Sequence, residues 1–147
     1  MNRRVVFDTS TLVSAALRIG SVPHQALHQA LAAYDLCASP ETLQELERVL
    51  ASNKFDRYLD RSLRDQFVSL MQRHIHLFTI TSADLQALNP SCRDPRDDPF
   101  LALAVVAEAG TMVSSDEDLL VLHPWHDVDI LRPGDFLRKS PLPDKAG

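Results

Sequence analysis

Four carboxylates, Asp8, Glu45, Asp98 and Asp116, recur at one kind of place in this 147-residue chain: where a strand-like run hands over to a helix, or about one turn into that helix. Asp8 ends the apolar run Arg4-Val5-Val6-Phe7, and Asp116 follows Thr111-Met112-Val113-Ser114-Ser115. Asp98 opens the helical pattern Pro99 to Ala107, while Glu45 lies in the pattern Glu41 to Leu50 that follows Leu36-Cys37-Ala38. In an open parallel sheet, strand ends and the following helix starts share one edge, and ligands gather there where the strand order switches. Acids remote in sequence can meet on that edge. At a separation of ~4 Å each pair would repel by about 4 kcal/mol at an effective dielectric of roughly 20, so the cluster needs cations or protons. All-oxygen sites of this kind suit Mg²⁺ or Mn²⁺, and their common use is phosphodiester hydrolysis by activated water. Ser10, two residues after Asp8, and Ser114, two before Asp116, can orient ligands or water through their hydroxyls.

Taken singly, each acid also has a structural explanation. Asp98 before Pro99 reads as a helix N-cap, Asp116 as a first-turn acid favoured by the helix dipole, and Glu45 as a surface partner of Arg48. Asp8, straight after a buried run, would be costly there without a partner, although a cap bonded to Ser10 or Thr11 would supply one. The conjunction of the four carries the metal reading. The register within each acidic pair is a choice, because Asp97 adjoins Asp98 and Asp118 follows Asp116 by two.

The elements that must position these acids alternate between strand and helix, which implies an α/β fold with a parallel sheet. After the first strand come a short helix, Thr11 to Arg18, and a second from Val22-Pro23-His24 to about Tyr34 with Ala26, Leu27, Ala30 and Leu31 as its apolar stripe. Ser39-Pro40-Glu41 reads as an N-cap with proline at the first helical position. A helix from about Leu63 to His74 is expected to turn Phe67, Leu70 and Met71 inward, followed by a strand at Leu77-Phe78-Thr79-Ile80. Ser82 to Leu88 reads as a helical turn, and Pro90 to Pro99 as a loop beside the site. Beyond Asp116 a short helix at Leu119 to Leu122, a strand at Val128 to Leu131 and a terminal turn at Pro133 to Leu137 complete the pattern. Residues 1–139 are expected to form one domain, with 140–147 as a flexible C-terminal tail.

A net charge of −5 argues against a nucleic-acid partner until metals are considered. Two bound divalent cations would bring it to about −1, and would neutralise charge where the substrate meets the protein. Between Arg48 and Arg73 the basic residues Arg48, Lys54, Arg57, Arg61, Arg64 and Arg73 outweigh Asp56, Asp60 and Asp65. This is either a basic face or a solvated helix with pairs such as Arg61 and Asp65. Cys37 and Cys92 have no zinc or disulfide spacing, which fits a reduced, cytoplasmic setting, and no apolar run is long enough for a secretion signal or membrane span. His24 and His28 have the spacing of a zinc pair but lack further ligands, and Trp125 reads as cover for the edge of a core rather than a base-stacking residue.

Four segments then resemble the PIN domain: Val5 to Ala15, Glu41 to Leu46, Cys92 to Ala104 and Val113 to Leu120. They stand in that family's order, the resemblance covers about Arg4 to Leu137, and it is in particular to the bacterial branch described as toxins of toxin–antitoxin pairs. The resemblance implies a three-layer α/β/α fold with a central parallel sheet, and a Mg²⁺- or Mn²⁺-dependent endoribonuclease acting on single-stranded RNA. It also implies Asp8, Glu45, Asp98 and Asp116 as the acidic quartet, small polar residues at Ser10 and Ser114, a homodimer, and inhibition by an antitoxin protein. Asp98 rather than Asp97 is chosen because Pro99-Phe100-Leu101-Ala102 follows it, matching an acid, two residues, then Leu-Ala. Two other readings compete. A non-catalytic RNA- or partner-binding PIN module needs no turnover, and phosphoryl transfer through an aspartyl phosphate would want a second Asp two residues after Asp8, where this chain has Ser10.

Overall fold

The computed structural model describes residues 2–139. Its framework is a five-stranded sheet in the order β3-β2-β1-β4-β5 with every pairing parallel. The strands are β1 (Arg4–Phe7), β2 (Asp35–Ala38), β3 (His76–Leu77), β4 (Thr111–Val113) and β5 (Asp129–Leu131). Between and after them run α1 (Thr9–Leu17), α2 (Val22–Ala33), α3 (Pro40–Leu50), α4 (Arg61–His74), α5 (Ser82–Gln86), α6 (Asp98–Val106), α7 (Glu117–Leu120) and α8 (Pro133–Lys139). Short 3-10 turns occupy Asn53–Phe55 and Pro95–Asp97.

The period of two along the strands builds two cores. Val5 and Phe7 face one layer with Leu36 and Val113, where Leu46, Leu50, Met71 and Phe136 from α3, α4 and α8 pack. Val6, with its ladder partners Cys37 and Met112, faces the other, where Leu101, Leu103, Leu119 and Trp125 lie. Sheet between two helical layers is the expected three-layer α/β/α architecture. From β1 the chain moves outward to β2 and β3, then returns across β1 to β4 on its other side. The switch in direction therefore lies between β1 and β4, and the loops leaving these two strands open a crevice at their carboxyl ends.

Local signals explain the helix starts. Ser39 caps α3 by accepting from Thr42 N–H, Thr42 answers by accepting from Ser39 N–H, and Pro40 occupies the first turn. Ser21 caps α2 in the same way through His24 N–H. In α4 the inward residues are Arg64, Val68 and Met71, whereas Leu70 is 40% exposed, so its expected place in the core is corrected. The register is set by Arg64, which is fully buried and donates to the carbonyls of Leu59, Leu50 and Ser52 and to Asp56. That removes Arg64 from any basic face. Arg61 pairs with Asp65 at 2.9 Å on the surface.

Further differences are local. The third strand is His76–Leu77, two residues long, with Phe78 and Ile80 packed beyond it against the second core. The terminal turn is the helix α8, whose Phe136 meets Phe7 edge to face with ring centroids 6.0 Å apart. Trp125 is buried and donates from Nε1 to the Pro90 carbonyl at 2.8 Å, so it closes a core edge. The expected tail at 140–147 lies outside the described residues. Among the described residues no helix is long and apolar enough to cross a membrane.

Candidate metal centre

The loops at the β1/β4 switch and the start of α6 bring Asp8, Asp116 and Asp97, and α3 brings Glu45, to the lining of one cavity of ≈ 470 Å³. Asp8 is 3% exposed and caps α1: Oδ1 accepts from Thr11 N–H at 3.0 Å, and Oδ2 accepts from Ser114 Oγ at 2.5 Å. Both the capping role and a place in the acidic cluster are thus realised in one carboxylate. Burial pushes its pKa up, while the bonds from Ser114 and Thr11 pull it down. Ser114, itself fully buried, also accepts from Asp116 N–H at 2.9 Å. Asp116 caps α7 by accepting from Asp118 N–H at 2.9 Å. Glu45 reaches the cavity from α3, where Oε2 accepts from Thr9 Oγ1 at 3.0 Å. It makes no ion pair with Arg48 among the described residues. Ser10 is exposed at the cavity wall, its hydroxyl 3.5 Å from Asp8 Oδ1.

The adjacent pair Asp97 and Asp98 divides its work. Asp97 turns into the cavity beside Asp116. Asp98 does not line the cavity; its Oδ1 accepts from Cys92 N–H at 2.7 Å. Asp97 closes the turn Pro95–Asp97 and stands as the N-cap of α6, whereas Asp98 is the first residue of that helix, and the two side chains part there. Cys92 closes the loop beneath: its buried Sγ lies 3.3 Å from the Asp118 carbonyl and 3.8 Å from Asp97 Oδ2, and burial raises the thiol pKa.

Burial pushes Asp97 up to about 7, reinforced by its hydrogen bond with Asp116 and by the charges of Asp116, Asp94 and Asp8. A carboxyl that keeps its proton near neutrality beside a carboxylate marks a place where a cation can replace that proton. The donor set is all oxygen and anionic, which fits a hard divalent ion. Asp97 also adjoins a second group: one oxygen each from Asp94, Asp97 and Asp118 lie within 4.8 Å of one another. The outer members are already paired, Asp94 with Arg96 at 2.9 Å and Asp118 with Arg93. Sequence reasoning missed Asp94 and Arg96 as cavity residues. The signal available was their position in the Pro-interrupted loop immediately before Asp97.

Comparison with known proteins bears on the family and the fold. A family model described as PIN domain matches residues 4–118. The crystal structure of PAE2754 from Pyrobaculum aerophilum is similar with a TM-score of 0.60 at 13% identity, covering 92% of this chain and 88% of that one. FitAcB from Neisseria gonorrhoeae is similar with a TM-score of 0.57 at 20% identity, covering 88% of this chain and 98% of that one. No curated protein sequence matches the chain.

Proposed function

The chain belongs to the PIN domain family, a family of generally metal-dependent nucleases, and from that premise we propose that it is a Mg²⁺- or Mn²⁺-dependent endoribonuclease that hydrolyses single-stranded RNA. The observation that carries the reading is the meeting of Asp8, Asp97 and Asp116 at the β1/β4 switch, with Glu45 on the same cavity. These four carboxylates would hold the cation. When bound, such an ion supplies positive charge to the attacked phosphate and eases deprotonation of water.

The chain's own groups do the rest. Ser114 holds Asp8 and the Asp116 backbone in one arrangement, and Thr9 fixes Glu45 against α1. Both are supports that keep ligand oxygens preorganised. Asp98 and Asp118 belong to the supporting shell, Asp98 by tying the loop at Cys92 to the start of α6 and Asp118 through its N–H to Asp116. Ser10, exposed at the wall, is placed to hydrogen-bond water or substrate.

Resemblance of the four motifs to the bacterial toxin branch supports a further step. Residues 1–139 act as one domain, the protein is a cytoplasmic toxin and homodimer, and a cognate antitoxin protein restrains it. The test is substitution of Asp8 by Asn. Loss of RNA cleavage with RNA binding kept supports the catalytic reading, whereas unchanged cleavage contradicts it. Growth arrest on expression, relieved by a co-expressed small neighbouring open reading frame, tests the toxin role.

A further inference from the structure

The acidic cavity is not acidic throughout. Its lining includes Phe55 and Arg96, which enter from different layers of the fold. Phe55 ends the 3-10 turn Asn53–Phe55 between α3 and α4 and packs at the margin of the first core. Arg96 lies in the turn Pro95–Asp97 that leads into α6 of the second. The two therefore meet on the lining of one cavity although they belong to different layers of the fold.

Each side chain is suited to a different part of a nucleotide. Phe55 is only partly buried, so part of an apolar ring borders a polar cavity. The face of a nucleobase covers such a ring, and stacking of this kind tolerates any base. Lys54 stands over the Phe55 ring, its Nζ 5.1 Å from the centroid, so a base stacking on that face takes the place of an exposed ammonium. The turn is firmly placed, because buried Arg64 donates to the Ser52 carbonyl just before it and to the Leu59 carbonyl just after. Arg96 has an 89% exposed side chain held by Asp94 through Nε at 3.2 Å and Nη2 at 2.9 Å. A guanidinium presented at the mouth of a carboxylate cavity offers the anionic backbone a donor that the acids cannot provide.

We propose that this cavity seats one nucleotide of single-stranded RNA, its base stacked on Phe55 and its phosphate bonded by Arg96. Phe55 and Arg96 are substrate-positioning residues. The proposal rests on the ribonuclease reading above and extends it by explaining strand preference: a base paired in a duplex presents no free face to Phe55.

The experiment is fluorescence anisotropy with the full chain carrying Asp116→Asn to block cleavage, in Mn²⁺. The probes are a labelled single-stranded RNA decamer and decamers with one abasic nucleotide at each position in turn. Phe55→Ala is expected to weaken binding of the intact decamer by about 5- to 150-fold, and Phe55→Tyr to restore it. One abasic position should reproduce that loss when Phe55 is present and add nothing when it is absent. Arg96→Ala should lower the slope of log Kd against log salt by about 0.7, one phosphate contact. Equal binding by the folded Phe55→Ala protein, or independent losses from the abasic nucleotide and the substitution, overturns the proposal while leaving the ribonuclease reading intact. Absence of both RNA binding here and RNA cleavage by the wild type overturns both.

Discussion

The hydroxyl of Ser114 donates to Oδ2 of Asp8 across 2.5 Å, 106 residues away in sequence, and thereby joins the carboxyl ends of β1 and β4 at the switch point of the sheet. The same oxygen receives the Asp116 N–H, so one buried hydroxyl fixes the relation of two acids. Ser114→Ala is expected to lower stability by about 1.5–3 kcal/mol, since the bond is made to a charged group and leaves Asp8 under-satisfied. It should also weaken Mn²⁺ binding by about 10- to 100-fold, as loss of a ligand's support does. Urea denaturation and calorimetric Mn²⁺ titration measure the two effects.

Arg64 is the largest buried polar anchor outside the cavity. Its replacement by Met removes donors from the carbonyls of Leu50, Ser52 and Leu59 together. A loss of at least about 3 kcal/mol is expected, because each orphaned buried acceptor costs on the order of 1 kcal/mol or more. The midpoint of urea unfolding reports it.

The proton on Asp97 makes stability depend on pH. Its pKa is raised from 3.8 to about 7 by folding, so between these values the folded state binds more protons than the unfolded one. Stability from this group is therefore fully present below pH 3.8 and is lost as pH rises through about 7. Denaturation in EDTA should show Asp97→Asn gaining on the wild type from pH 5 to pH 8. Saturating Mn²⁺ should reverse that ranking at pH 8, because the wild type alone then binds the ion tightly.

Much of this was legible in the strand and helix starts. Asp8, Glu45 and Asp116 line one cavity, and the signals for their positions are local: Asp8 and Asp116 follow short apolar strands, and Glu45 lies in the second turn of a capped helix. The third acid was harder. Spacing to Leu101-Ala102 favours Asp98, whereas Asp97, at the N-cap of α6, is the one that lines the cavity. The eight residues after Asp98, Pro99 to Val106, are all apolar, and Phe100 to Ala104 are all buried, so periodicity does not say which of the two acids faces the cavity. Leu70 shows the converse problem: an apolar residue at helical spacing is left exposed because Arg64, with three backbone carbonyls to satisfy, takes an inward position on α4.

The most direct measurement is cleavage of end-labelled single-stranded RNA by the wild type, Asp97→Asn and Asp98→Asn in Mn²⁺ and in EDTA. Cleavage is expected from the wild type in Mn²⁺ only, with a loss of at least about 100-fold in Asp97→Asn and retained cleavage in Asp98→Asn, whose amide oxygen still accepts from Cys92 N–H. Cleavage by Asp97→Asn at the wild-type rate, or none by the folded wild type with Mn²⁺, would contradict this expectation.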